Sequence, residues 1–312
     1  MGNGPELTTD VPRAETIRQI VVAALDEPAT KVTLIPEQGN VNIAYDVDTR
    51  HGSFIVRVRF DRDELHQFLR ERRCAELIRP EHDWTPQVLA IGKYEKHSYS
   101  IQEKVQGTVA SQYKGDMNMI WEQVGRYAEF FHGIQTSGYI YDAFREGPAA
   151  SGPWCQWYFD YLGEASNSKL ITQGLMTQKE FEAALEALAP LKSLEFSPTL
   201  AHGNLSPKNL MIDVNHKAHI IDWGTCQGHM GSELDVSELL AFDTPHEHMQ
   251  AYLRGHKLPA DYVEQNQELL ERLQLVRCFT SAHWLCETSS QREKSVLRYV
   301  EKVRASLHRL RE

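Results

Sequence analysis

Residues 200–224 read LAHGNLSPKNLMIDVNHKAHIIDWG, and the rest of the chain is organised around them. His202, Asn204 and Asn209 stand at relative positions 0, +2 and +7, and Asp222 follows thirteen residues later. Residues 209–213 and 218–222 read as two short strands, and 214–217 supply the turn between them. That spacing predicts a hairpin with Asn209 just before its first strand and Asp222 at the end of its second, so that the two side chains meet. Asn209 offers a neutral oxygen and Asp222 a charged one, a pair that suits a hard, oxygen-seeking cation.

The same residues resemble the catalytic loop of kinases, H-x-D-x-x-x-x-N followed by a metal-binding Asp. Every spacing fits and one residue departs: position 204 holds Asn where the pattern has Asp. His202-Gly203-Asn204 through Asn209, with Ile221-Asp222-Trp223-Gly224, is similar to the signatures H-G-D-x-x-x-x-N and I-D-W/F-G of aminoglycoside phosphotransferases. Gly203 and Trp223 favour that family over protein kinases.

The resemblance implies an α+β, bilobal, protein-kinase-like fold. A small antiparallel-sheet N-lobe would span 1–106, and a mostly helical catalytic and substrate-binding lobe 107–312. It implies ATP (or GTP) and Mg²⁺ as cofactors, with Asn209 and Asp222 on the metal. Asn204 and His202 would stand in the catalytic loop, Asn204 at the acceptor hydroxyl. The acceptor would be a small molecule, most simply a cationic aminoglycoside such as hygromycin B; choline, homoserine, methylthioribose or a sugar amine are alternatives within the fold. A silent nucleotide-binding module is the alternative outside catalysis, because an amide takes up no proton at neutral pH.

Upstream, residues 12–25 carry Ile17, Ile20, Val21, Ala24 and Leu25 at helical spacing, with Thr9 or Asp10 as the cap. Strands follow at 31–36 and 41–48, joined across Gln38-Gly39-Asn40. In the resembling family that turn covers the phosphates, which makes Gly39 and Asn40 candidates. The strand 53–60 is similar to the one that carries a phosphate-contacting Lys; Arg57 stands there, with Arg59 as the alternative. The amphipathic stretch 63–78 corresponds to the helix whose carboxylate pairs with that cation. Glu71 is the residue expected there, and Glu64 and Glu76 are rivals. Leu65, Phe68, Leu69, Ala75, Leu77 and Ile78 would form its buried face. Segments 86–92 and 99–107 form a further hairpin, whose end resembles the hinge between lobes. Backbone groups around Gln102, Glu103 and Val105 would meet the adenine edge.

Beyond it, 117–135 reads as a helix with His132 packed in the core, and 154–162 as another whose aromatic residues are core or pocket lining. Thr177 and Glu180 form a capping box for a helix over 177–191. Asp235 resembles the family's structural Asp that supports the catalytic loop. Leu269, Leu270, Leu273, Val276, Phe279 and Leu285 mark a long helix. Asp261, Glu264 and Glu268 are acidic residues available for ammonium groups.

Composition sets outer bounds. The 312 residues are 41% hydrophobic and 24% charged, with 33 basic and 43 acidic side chains and a formal charge of −10. That charge argues against nucleic acid as a partner and fits a cationic substrate. No run approaches the roughly 20 apolar residues of a membrane span, and no secretory signal is visible at the N-terminus, so a cytoplasmic protein is expected. Five scattered cysteines without a C-x-x-C pair support neither a disulfide frame nor a zinc site. Nothing in the sequence speaks to oligomeric state.

Overall fold

A computed structural model describes residues 11–36, 42–59, 65–139, 154–164, 169–288 and 293–311. In chain order the first elements are α1 (Ala14–Leu25), β1 (Lys31–Leu34), β2 (Ile43–Asp48), β3 (Ser53–Arg59), α2 (Leu65–Ile78), β4 (Val88–Tyr94), β5 (His97–Glu103) and β6 (Gly107–Val109). Next come α3 (Met117–His132), α4 (Gln156–Glu164), α5 (Lys169–Thr172), α6 (Gln178–Leu188), β7 (Thr199–Ala201), β8 (Leu210–Asp213), β9 (Ala218–Ile220) and β10 (Gln227–His229). The chain closes with α7 (Gly231–Ala241), α8 (His246–His256), α9 (Tyr262–Gln265), α10 (Gln267–Thr288) and α11 (Glu293–Arg309). This is the α+β, kinase-like architecture that the central motif implies.

The chain forms two units. The first is Met1–Gly115 with Pro207–Cys226, and the second is Asp116–Ser206 with Gln227–Glu312. By contacts, then, the hairpin β8–β9 goes with the N-terminal part of the chain, whereas chain order alone would divide it at 106.

In the first unit five antiparallel strands lie in the order β1-β2-β3-β5-β4. Alternation decides which face is which. Tyr45 and Val47 of β2, Val56 and Val58 of β3, and Tyr99 and Ile101 of β5 point to one face, where Ile17, Ile20 and Val21 of α1 cover them. The register places Val56 opposite Ile101 and Val58 opposite Tyr99. Arg57 and Arg59 therefore point to the other face, toward α2. No side chain caps α1: its N-cap is Arg13, without a side-chain hydrogen bond, and the expected Thr9 and Asp10 lie outside the described residues.

The buried stripe of α2 is Phe68, Glu71, Cys74, Ala75 and Ile78. This corrects the expected apolar face, since Leu69 is 40% exposed. A carboxylate takes a core position because β3 presents Arg57 to it. Outside the main sheet, β6 pairs with β8 and β8 with β9. A Cβ on Gly107 would lie 2.2 Å from the Ile212 carbonyl oxygen, so this close strand approach needs glycine there.

The second unit is helical. Its main core joins α4, α6, α10 and α11 through residues such as Leu162, Phe181, Leu273, Phe279 and Val300. The capping box of α6 forms as expected: Glu180 N–H donates to Thr177 Oγ1 at 3.1 Å, and Thr177 N–H to Glu180 Oε2 at 2.7 Å. Two short strands, β7 and β10, pair beside α7. Among the described residues no helix is long and apolar enough to cross a membrane.

Candidate functional site

In the first unit the central motif folds into the hairpin that its spacing predicts. Leu210 lies opposite Ile220, and the pairing continues past the strand ends, where Ile221 N–H donates to the Asn209 carbonyl at 2.9 Å. Asn209 is buried and Asp222 follows Ile221 directly, so both oxygen donors sit at the open end of the hairpin. The turn is held by Asp213, whose Oδ1 accepts from the N–H groups of Asn215 and Lys217 at 2.8 and 2.9 Å. Asp222 has φ 62° and ψ 54°, in the left-handed region. Asp tolerates that region better than most residues.

Arg57 meets Asp222 here. Its Nη2 donates to Asp222 Oδ1 at 3.0 Å and its Nη1 to Glu71 Oε1 at 2.5 Å. The guanidinium carbon also lies 5.5 Å from the centre of the Phe68 ring. A single buried cation is thus shared by two carboxylates. Burial works against the charge on Arg57, but Glu71 and Asp222 outweigh it and hold its pKa above the ordinary value. Burial pushes the Glu71 carboxyl up, with Arg57 opposing and Asp222 adding to the rise. The cluster carries one positive and two potentially negative groups, and Asp222 is its exposed member at 45% side-chain exposure.

The rival assignments fall elsewhere. Arg59 donates to Gln67, one helical turn before Glu71, so the two-residue step on β3 matches the four-residue step on α2. Glu76 is exposed beside Arg73. Glu64, Gly39 and Asn40 lie outside the described residues. Gln102 belongs to β5, opposite Ile55 and Val88. Glu103 gives its N–H to Gln87, while its carboxylate accepts from Arg79 and from the Gln87 N–H, each at 2.9 Å. Val105 lies just past the strand end, half-buried.

Arg70 was not singled out in the sequence. Its Nε and Nη2 donate to the Gly224 carbonyl at 3.1 and 2.8 Å, tying α2 to the segment after Asp222. Its place beside Glu71 was the available signal. Among the described residues no group of three or more His, Cys, Asp or Glu could hold a metal. The remaining donor set, one amide oxygen and one carboxylate, fits Mg²⁺, which takes one or two protein oxygens and completes its shell with phosphates and water. A hollow of about 350 Å³ on the α2–β4 flank, lined by Arg72, Glu76, Arg79 and Gln87, includes neither Asn209 nor Asp222.

The second unit holds the start of the motif. Asp235 of α7 is fully buried and accepts from two loop amides, His202 N–H at 3.0 Å and Gly203 N–H at 2.8 Å. Its Oδ2 also lies 3.0 Å from His132 Nε2. Burial would raise this carboxyl, but the His132 contact and the loop amides outweigh it and keep it low. Asp235 thus holds the loop, as the resemblance implies, and His132 is packed in the core as expected, against that carboxylate. Gly203 has φ +70°, which lets two successive N–H groups converge on one carboxylate. His202 is fully buried, and its Nδ1 accepts the Asn204 N–H at 3.3 Å, organising the loop from inside.

Asn204 is half-buried, and its Oδ1 accepts from Arg277 Nη2 at 3.2 Å. Arg277 in turn lies 3.1 Å from Glu238 Oε2 through its Nε. Burial pushes Glu238 up to about 7 even with Arg277 beside it. A cavity of about 60 Å³ is lined by Tyr158, Gly203, Gln227, Glu238, Arg277 and Thr280. It has room for one functional group, far below the size of a drug-like pocket. Of the aromatic residues of α4, Tyr158 reaches this cavity. Trp154, just before the helix, packs on Phe196 and His229. Arg277 and Glu238 carried no motif, and their separation in the chain hid them.

The sequence pattern of the phosphotransferase enzyme family matches residues 32–229. No curated protein matches the chain in sequence. Among solved structures, a thermostable mutant of aminoglycoside phosphotransferase APH(4)-Ia, in ternary complex with ADP and hygromycin B, superposes with a TM-score of 0.73 at 14% identity. That match covers 94% of this chain and 98% of the other. Spectinomycin phosphotransferase APH(9)-Ia, in complex with ADP and spectinomycin, gives 0.64 at 12% identity, covering 95% and 99%. LicA in complex with AMP gives 0.66 at 13%, covering 95% and 98%.

Proposed function

The chain belongs to the phosphotransferase enzyme family, and on that premise we propose that it moves the γ-phosphoryl group of ATP to a hydroxyl of a small molecule. The observation that carries this reading is the Arg57 guanidinium shared between Glu71 and Asp222 at the open end of the Asn209–Asp222 hairpin. A cation with its own buried counter-ion is ready to meet nucleotide phosphates, and its fork suits their oxygens. Asn209 and Asp222 would hold Mg²⁺, which supplies charge neutralisation on the phosphates when bound. Val105, past the end of β5, is the position whose backbone best suits the adenine edge; GTP would use the same contact differently.

In the reaction the bond between the γ-phosphorus and the ADP oxygen breaks as the acceptor oxygen bonds to phosphorus. Asn204 orients that hydroxyl by hydrogen bonding, and the hydroxyl proton leaves to solvent or the transferred group. Phosphoryl transfer draws mainly on positioning and charge stabilisation, so the loss of a base, commonly worth about 10²–10⁴-fold, slows the step without abolishing it. The acceptor is proposed to be a cationic aminoglycoside-type compound, in keeping with the acidic balance of the chain and with the hygromycin B bound by a structural relative.

Asn204 favours a second reading, a nucleotide-binding module that transfers nothing. Labelled γ-phosphate separates the two. The chain and its Asn204→Asp variant are offered Mg·ATP with hygromycin B, spectinomycin, choline, homoserine, methylthioribose and sugar amines in turn. Transfer to one acceptor class supports the enzyme. Binding of Mg·ATP without transfer by either form supports the silent module.

A further inference from the structure

Position 204 is gripped from α7 along two routes. Asp235 binds the loop directly, through the N–H groups of His202 and Gly203. Glu238, three residues on and so on the same helix face, acts through Arg277, whose guanidinium lies over the Phe242 ring at 5.6 Å and touches the Asn204 side chain. Arginine has donors and no acceptor, so the amide atom that faces Arg277 must be the oxygen. This settles which way the Asn204 amide is turned, with its nitrogen on the side away from Arg277.

We propose that Arg277, anchored by Glu238, is a positioning residue that fixes the Asn204 amide with its oxygen toward α10, so that position 204 meets the acceptor as a hydrogen-bond donor. The proposal rests on the reading of position 204 as the acceptor-facing residue. It means that the acceptor oxygen is aligned through a lone pair instead of through its proton. It also means that restoring Asp at this position brings a carboxylate against Arg277. The ion pair would stabilise its charged form and weaken it as a proton acceptor.

The Asn204 side-chain NH₂ can be followed by NMR and identified by its disappearance in Asn204→Asp. In the unaltered chain it is expected to exchange slowly, and Arg277→Gln should speed that exchange at least about tenfold as the amide gains freedom to turn. Glu238→Gln is the second variant: it removes the charge that anchors Arg277 and leaves the guanidinium in place, and an intermediate rate is expected. In the transfer assay, with whichever acceptor of that panel takes up phosphate, Arg277→Gln should lower kcat about tenfold and leave KM for ATP unchanged. Arg277→Lys should restore part of that loss. Exchange rates within twofold of each other in all three proteins would overturn the proposal. The NMR arm needs no acceptor, so a failure of the proposed activity and a failure of this inference are told apart.

Discussion

Arg57 and Asp222, 165 residues apart in the chain, meet through a 3.0 Å hydrogen bond, and the same guanidinium holds the buried Glu71. Removing the cation leaves Glu71 buried without its counter-ion, a loss that commonly costs about 3–5 kcal/mol. The raised pKa of Glu71 lets it take up a proton and recover part of that. Arg57→Gln should therefore lower stability by about 2–4 kcal/mol in urea unfolding and weaken Mg·ATP binding at least about tenfold. Arg57→Lys keeps the charge but cannot fork to both carboxylates, and should fall between the two.

Acid stability is set in part by His229. It is fully buried among Trp154, Tyr158 and Phe196, its Nδ1 accepts the Met230 N–H, and burial depresses its pKa to about 3. His256, also depressed by burial, falls to about 4. The unfolded chain takes up these protons as the pH drops below about 6.5, while the folded chain does not until near those lower values. The contribution of these two histidines is thus full above 6.5 and declines between about 6.5 and 3. His229→Phe should remove one proton from that dependence, so its unfolding midpoint falls less between pH 7 and 4 than that of the unaltered chain. Equal slopes would show that His229 does not carry the effect.

The capping box of α6 gives the carboxylate counterpart. Glu180 is held down to about 2, first by Arg304 and then by the Thr177 N–H. Its folded pKa is depressed, so its contribution is present above the unfolded value and is lost as the pH falls from about 4.5 toward 2. Glu180→Gln keeps the box but loses the charge, and screening at this partly exposed pair limits the cost to roughly 0.5–1 kcal/mol at pH 7. The two proteins should converge in stability near pH 2.

Gly203 tests the loop itself. Its φ of +70° would strain an alanine by about 1–2 kcal/mol and disturb the amide that Asp235 receives. Gly203→Ala should slow phosphoryl transfer while Mg·ATP binding stays within twofold, because the residues proposed to hold the nucleotide belong to the other unit.

Much of this was legible in the sequence because the informative residues are close together or periodic. The 0, +2, +7 and +20 spacing reads directly as loop plus hairpin, and the two-residue period of β3 points Arg57 and Arg59 to one face. Glu71 followed from its place on the helix after that strand. What stayed hidden depends on contacts between distant elements: Arg70 on the Gly224 carbonyl, and Glu238 and Arg277 on Asn204. Leu69 is exposed because it stands one residue off the buried stripe 68, 71, 74, 75 and 78, and hydrophobicity alone does not show that Glu71 belongs to that stripe.

Asp222 and Asn209 are proposed to bring a divalent cation to a nucleotide whose phosphates Arg57 receives. Calorimetric titration of ATP, with and without Mg²⁺, into the chain and into Asp222→Asn tests it most directly. Mg²⁺ should strengthen ATP binding at least about tenfold in the unaltered chain and have little effect in Asp222→Asn. The same Mg²⁺ dependence in both proteins, or no ATP binding by the unaltered chain, would contradict it.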